Sequence, residues 1–375
     1  MRRRVTFVRS AHIVSYWDGA DLMLYNYAAR TELIASVEMC AIVNACEAPR
    51  TAAAILPRCP GLTAAAIAEL LSLLVRYRML YRGRRAATAA ERAMKRFHAW
   101  NPAAGFFHQS TKDVPFGDRA SATRRQLARA KSWPLPAPVK RIPSAAITRL
   151  PDRPPIDQFP KVLLARRTWR RFADRPVEVA DLAQLLRYTA GIHQWQPARG
   201  LGRSALRTSP SGGARHSIEV YIAARRVRGV RPGLYHYASD KHELERVRAG
   251  LPIGGVERYL PEQPWFEGAA VLIFFAVSFE RVLWRYDYSR AYRAVLIEAG
   301  HLCQTFCLTA TWLGLAPFCS MALSDRSIER DLKLDGITES VLYAAGVGVR
   351  GHAADRAIVP IGVRAQPTIR NPAFA

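Results

Sequence analysis

The chain opens on short stretches in which apolar and polar residues alternate. Val5-Thr6-Phe7-Val8 and Leu22-Met23-Leu24-Tyr25 follow the two-residue period of strands, and Asp18-Gly19 predicts a turn joining them. From Leu33 the period lengthens: Leu33, Val37, Ile42 and Val43 recur at helical spacing. A second helix is predicted from Thr51, and a third opens at Thr63, a good N-cap residue, and continues to Tyr77. Met79-Leu80-Tyr81 predicts a returning wing strand. Three helices and a small β-ribbon make a winged-helix-like domain over residues 1–90.

Prolines then punctuate residues 91–160, among them Pro102, Pro115, Pro134, Pro136, Pro138, Pro143, Pro151, Pro154, Pro155 and Pro160, and this connector is expected to hold no long regular element. Residues 161–365 form a third segment. A helix starts at Val179 and carries Leu182, Leu185 and Leu186. Strands are predicted at Ile218–Ala223, Leu234–Tyr237, Ala270–Val277, Ala316–Met321 and Val341–Ala345, with a long helix over Arg290–Leu313. Single helices mixed with strands, without a regular βαβ repeat, indicate an α+β fold.

Composition changes this picture little. Half of the 375 residues are hydrophobic, enough for two cores. The net charge of +25 raises the question of an anionic partner, but arginines are spread along the chain instead of gathered in one patch. The third helix of the N-terminal domain carries no basic residue before Arg76, which argues against reading DNA bases. No specific nucleic acid is therefore expected. The longest apolar run, around Ala269–Val277, is too short to span a bilayer, so no membrane association is expected. Cys40, Cys46, Cys59, Cys303, Cys307 and Cys319 form no CxxC pair, and no histidines stand at zinc-ligand spacing. They read as reduced thiols of a cytoplasmic protein, with no metal site.

Two segments carry chemistry. Arg166-Arg167-Thr168-Trp169-Arg170-Arg171-Phe172 surrounds one hydroxyl with guanidinium groups, the donor set that a phosphate dianion requires. Thr208-Ser209-Pro210-Ser211-Gly212-Gly213 leads into a strand, and its small residues let backbone approach a planar ligand. Gly346-Val347-Gly348-Val349-Arg350-Gly351 matches a dinucleotide fingerprint in letters. Too little chain follows for the helix, strand and acidic residue that such a site needs. His236 and His242 have no carboxylate or cysteine at ligand spacing and read as ordinary histidines.

In this order and spacing the two segments resemble the FMN-dependent nitroreductase superfamily, and in particular its SagB-type azoline dehydrogenase branch. The resemblance extends through Gly233–Tyr237, Arg290–Arg293, Glu298–His301 and Tyr343–Gly348, and takes in the segment Phe106–Asp113. It implies a nitroreductase-like FMN-binding fold in which Arg166, Arg167, Thr168 and Arg170 hold the phosphate and ribityl chain. Pro210, Ser211 and Gly212 would lie against the isoalloxazine, with Gly348 on the late strand near it. A homodimer with flavin sites at the subunit interface is implied as well.

The family's azoline-oxidising members carry a Lys-Tyr pair shortly before the Arg-x-Tyr-Arg segment; here Arg285-Tyr286 stands nearest, with arginine for lysine and one extra residue before Arg290. Arg285 and Tyr286 are thus the candidate catalytic residues. The N-terminal domain resembles small domains that capture leader peptides by strand addition, which implies a precursor peptide or biosynthetic partner proteins. Alternatives are an NAD(P)H-dependent reductase of nitro compounds or enones, and a non-catalytic peptide-recruiting scaffold.

Overall fold

A computed structural model describes residues 5–83, 88–94, 101–113, 118–132, 157–197, 203–286 and 288–351. The chain divides into two compact units. One comprises Met1–Lys112, Ser278–Val295 and Leu334–Ser340, and the other Asp113–Val277, Leu296–Lys333 and Val341–Ala375.

The first unit begins with β1 (Thr6–Arg9), β2 (Ile13–Asp18), β3 (Asp21–Asn26) and β4 (Thr31–Ile34). Helix α1 (Val37–Ala45) follows, then β5 (Arg50–Thr51), α2 (Ala52–Ile55), α3 (Ala64–Arg76) and β6 (Leu80–Arg82). Strands β2, β3 and β4 make one antiparallel sheet, and β5, β1 and β6 another. The predicted turn does form at Asp18, with Gly19 at φ +60°, but it joins β3 to β2 and not to β1. Leu33 lies on β4, so the first helix starts later than its periodicity suggests. Ser36 caps α1, its side chain accepting from the Met39 amide. Thr63 caps α3 as expected, accepting from the Ala66 amide at 3.2 Å. Ile42, Ile55, Ile67, Leu71, Leu74, Met79 and Leu80 form a buried hydrophobic core. The result is winged-helix-like in its helix order and richer in sheet.

Helices α4 (Ala89–Met94) and α5 (Pro102–Ser110) complete the N-terminal part, and α6 (Arg119–Ser132) follows. The expectation of a connector without long elements is corrected here, because α6 alone runs 14 residues. Pro102 sits at the start of α5, where a missing N–H breaks no helical bond. Residues 133–156, which hold most of the prolines, lie outside the described residues.

Next come α7 (Gln158–Ala165), β7 (Phe172–Ala173), β8 (Val177–Glu178), α8 (Val179–Ala190), β9 (Gln194–Pro197) and β10 (Arg203–Leu206). Then follow β11 (Ile218–Ala224), β12 (Val227–Arg228), β13 (Gly233–Ala238), β14 (Glu243–Ala249), β15 (Val271–Ser278) and α9 (Phe279–Leu283). The chain continues with α10 (Ala291–Trp312), β16 (Leu315–Ser320), α11 (Asp325–Leu332) and β17 (Glu339–Arg350). The main sheet has the order β14-β13-β11-β15-β17-β16, with β7 paired to β17. From Val271 to Val277, every β15 side chain is buried, which explains its unbroken apolar sequence. Strand β17 passes through Gly346 and Gly348 as strand, so these glycines form no phosphate-binding turn. Among the described residues, no helix is long and apolar enough to cross a membrane.

Candidate functional site

The arginine segment leaves the end of α7. Arg166 is the C-cap of that helix and, with Arg167 and Thr168, is half-buried, while Arg170 is exposed. Arg167 Nη1 donates to the carbonyls of Leu164 (2.9 Å) and Arg166 (2.7 Å), which fixes its stem. The Arg170 guanidinium lies 5.4 Å from the Trp265 ring centroid. Among the described residues, no carboxylate pairs with Arg166, Arg167 or Arg170. The segment is tied down by Trp169, whose amide donates to Pro317 O at 2.9 Å and whose ring carries the Arg350 guanidinium at 5.4 Å. Arg350, which the sequence reading passed over, also donates to Leu315 O and Thr311 O, each at 3.0 Å.

The glycine loop is held by side chains of α10. The Ser211 hydroxyl donates to Glu298 Oε2 (2.7 Å), as does Ser217 (3.0 Å), and the Ile218 amide donates to Glu298 Oε1 (3.2 Å). His301 Nδ1 lies 3.1 Å from Pro210 O, and Ser209 Oγ lies 2.7 Å from Thr305 Oγ1. Glu298, His301 and Thr305 occupy one face of the helix. Gly213, Ala214 and His216 all have positive φ (58°, 52° and 46°), so the loop backbone is strained where it turns into β11. The His216 amide donates to Ser211 Oγ at 2.8 Å, and its Nε2 lies 2.8 Å from Ala205 O. Sequence reading had named the Ser211 loop but no role for Glu298 or His301, although their spacing was a usable signal.

Gly348 has a packing reason of its own. A Cβ there would stand 2.7 Å from Phe172 Cδ1, and one at Gly268 would stand 3.1 Å from Phe172 Cδ2. The Phe172 ring is thus seated between two glycines.

The second unit therefore contains the predicted Arg166, Arg167, Thr168, Arg170, Pro210, Ser211, Gly212 and Gly348. Arg285 and Tyr286 belong to the first unit, just after α9. Their amides donate to Val282 O at 3.2 and 2.9 Å. The Arg285 guanidinium lies 5.8 Å from the Tyr286 ring centroid, and that ring lies 5.8 Å from Tyr288. In the same unit two segments that carried the resemblance meet: His108 Nδ1 is 3.0 Å from Tyr292 Oη. Lys112 Nζ and Gln109 Nε2 both donate to Gly336 O, at 2.8 and 3.2 Å. Burial, reinforced by the Lys112 charge, pushes the His108 pKa well down, so this histidine is neutral.

His236 departs from its expectation. The sheet brings carboxylates to both ring nitrogens, Glu219 from β11 (3.0 Å) and Glu245 from β14 (2.9 Å). The hydrogen bond to Glu219 raises its pKa, burial opposes this, and Glu245 adds to the rise. His242 Nδ1 lies 2.7 Å from Tyr237 Oη, and burial lowers its pKa.

The main sheet, the arginine segment and the helix-clamped glycine loop lie within the part of the chain that the comparisons match. The chain belongs to the nitroreductase family, which matches residues 163–349. A Methanocaldococcus jannaschii protein named as a nitroreductase is 30% identical over 186 residues, covering 50% of this chain and 89% of the relative. The trifolitoxin-processing protein TfxB of Rhizobium leguminosarum bv. trifolii is 29% identical over 164 residues, covering 43% of this chain and 44% of the relative. A chain of the E. coli microcin synthetase McbBCD complex, solved with truncated pro-MccB17 bound, is 21% identical; the match covers 69% of this chain and 98% of that one, with a TM-score of 0.49. Nitroreductase-family proteins are in general flavin-dependent oxidoreductases.

Proposed function

We propose that the chain is an FMN-dependent dehydrogenase of SagB type, oxidising azoline rings to azoles in a peptide or carrier-bound intermediate. One observation carries the flavin part: a single helix serves both motifs. Its His301 meets Pro210 of the glycine loop, and its Thr311 carbonyl accepts from Arg350, whose guanidinium lies on the Trp169 ring of the arginine segment. The donor set fits FMN: guanidinium groups without carboxylate partners among the described residues for the phosphate, and a small-residue loop for the ring.

Arg166, Arg167, Thr168 and Arg170 would hold FMN by its phosphate, and the cofactor would supply two-electron oxidising chemistry. In this reading Tyr286 handles the ring proton. Arg285 stabilises developing negative charge, since a guanidinium donates hydrogen bonds and offers no acceptor for the ring proton. The edge strands β2 and β4 offer a precursor peptide or partner protein a place for strand addition. A homodimer belongs to the same reading. The Rhizobium relative, named for trifolitoxin processing, supports a maturation role over general reduction.

The test is direct. Heat-released cofactor should run as FMN, and an azoline-containing peptide should lose two hydrogens by mass spectrometry. FAD, or no flavin after reconstitution, counts against the cofactor. A second reading, an NAD(P)H-dependent reductase of small molecules, is favoured by the archaeal relative named as a nitroreductase. Rapid NADPH bleaching with a nitroaromatic, and no turnover of azolines, would select it.

A further inference from the structure

Cysteine spacing along the chain predicts no metal site, but three of the six cysteines converge in space. Cys303 and Cys307 are one helical turn apart on α10 and share a face. Cys319 lies on β16, opposite Ala345 of β17. The three sulfurs all lie within 4.8 Å of one another. Cys303 and Cys307 are buried and Cys319 is half-buried, which leaves one side of the cluster approachable. Tyr343 stands two residues before Ala345, on the same face of β17.

We propose that Cys303, Cys307 and Cys319 form a trithiolate site for a thiophilic d10 cation, with Cu(I) favoured over Zn(II). Soft sulfur ligands select these ions, and a mostly buried set disfavours hard, hydrated cations. Three sulfurs about 2.3 Å from a central ion stand roughly 4 Å apart, so the cluster needs to close by at most about 1 Å. Three sulfurs complete the coordination of Cu(I), whereas zinc requires a fourth ligand. The thiols that ligate release their protons to solvent, so affinity should rise with pH.

The test uses the full chain, reduced with a non-thiol reagent and stripped of metal. Cu(I) is titrated against bicinchoninate and Zn(II) against a chromophoric chelator, in separate arms. One ion per chain, with a sulfur-only or sulfur-dominated shell by X-ray absorption on the wild type, supports the site in either arm. Cys319→Ser should weaken binding about tenfold or more, while Cys46→Ser/Cys59→Ser should leave it unchanged. Failure of both ions to compete, a nitrogen and oxygen shell, or undiminished binding in Cys319→Ser would overturn the proposal.

Discussion

The Ser211 hydroxyl and the Glu298 carboxylate are joined by a 2.7 Å hydrogen bond across 87 positions of sequence. The same carboxylate takes the Ser217 hydroxyl and the Ile218 amide, so one buried side chain fixes both ends of the glycine loop. Glu298→Ala should leave three donors without their acceptor, at a cost on the order of 3 kcal/mol. Glu298→Gln should cost less, since an amide oxygen still accepts. Urea denaturation checks stability, and FMN dissociation in the same variants checks whether the loop bears on the flavin. A stability loss with unchanged flavin retention would detach the clamp from the cofactor.

Arg170 separates phosphate binding from packing. Its guanidinium stacks on Trp265 and has no carboxylate partner among the described residues. Arg170→Ala should weaken FMN binding by about 1.5–3 kcal/mol through loss of a charge-assisted hydrogen bond. Trp265→Leu should have a smaller effect, because it removes only the platform. Equal flavin affinity in Arg170→Ala and wild type, measured by fluorescence on dilution, would remove Arg170 from the phosphate site.

Gly348 is constrained by the ring of Phe172, with 2.7 Å available between a new Cβ and Cδ1. Gly348→Ala should destabilise by about 1–3 kcal/mol through overpacking. Phe172→Leu frees that space, so the double variant should recover part of the loss and the two effects should not add. Strict additivity in thermal unfolding would mean that Phe172 is not the obstacle.

Elements with a strong local signature were legible in the sequence. Thr63 announced α3, and the apolar run announced β15, which is buried on both faces. Strand β2 was missed because its side chains are all half-buried or exposed and give no clean alternation. Helix α6 was missed because its Arg- and Ala-rich sequence shows no apolar stripe. At the site, Arg166–Arg170 and the Ser211 loop could be read as motifs because their chemistry is contiguous. Their anchors, Glu298, His301 and Arg350, act across the fold. The cysteine cluster followed the same rule: the spacing of Cys303 and Cys307 was visible, and the approach of Cys319 was not.

His236 gives a pH dependence with a definite sign. Its folded-state pKa is raised, with the hydrogen bond to Glu219 as the main cause. The stability it contributes is therefore fully present below the unfolded histidine pKa of about 6.5. That contribution is lost as pH rises through the higher folded value. The difference in urea midpoint between wild type and His236→Gln should be largest on the acid side of that window and shrink above it. Parallel pH profiles for the two proteins would show that Glu219 and Glu245 do not bind the protonated ring.

Tyr286 and Arg285 bear the proposed chemistry, and they stand outside the sequence segments proposed to hold FMN, so their substitution tests chemistry alone. Aromatising an azoline removes a hydride and a proton, and the proton needs a protein acceptor or a relay to water. Arginine in the place of the family lysine cannot be that acceptor, so Tyr286 is the better placed of the pair. The guanidinium of Arg285, 5.8 Å from the tyrosine ring, can act only through its charge. Tyr286→Phe should therefore lose most azoline turnover while retaining bound FMN. Arg285→Lys should keep more activity than Arg285→Ala, because the charge survives in the first and not in the second. Both residues follow α9 in an exposed to half-buried turn, so neither change should move the unfolding midpoint by more than about 0.5 kcal/mol. A kcat split without loss of flavin or stability identifies chemistry. Full turnover in Tyr286→Phe on the native substrate would assign both residues to packing and turn the search for a base to His216 or Tyr288.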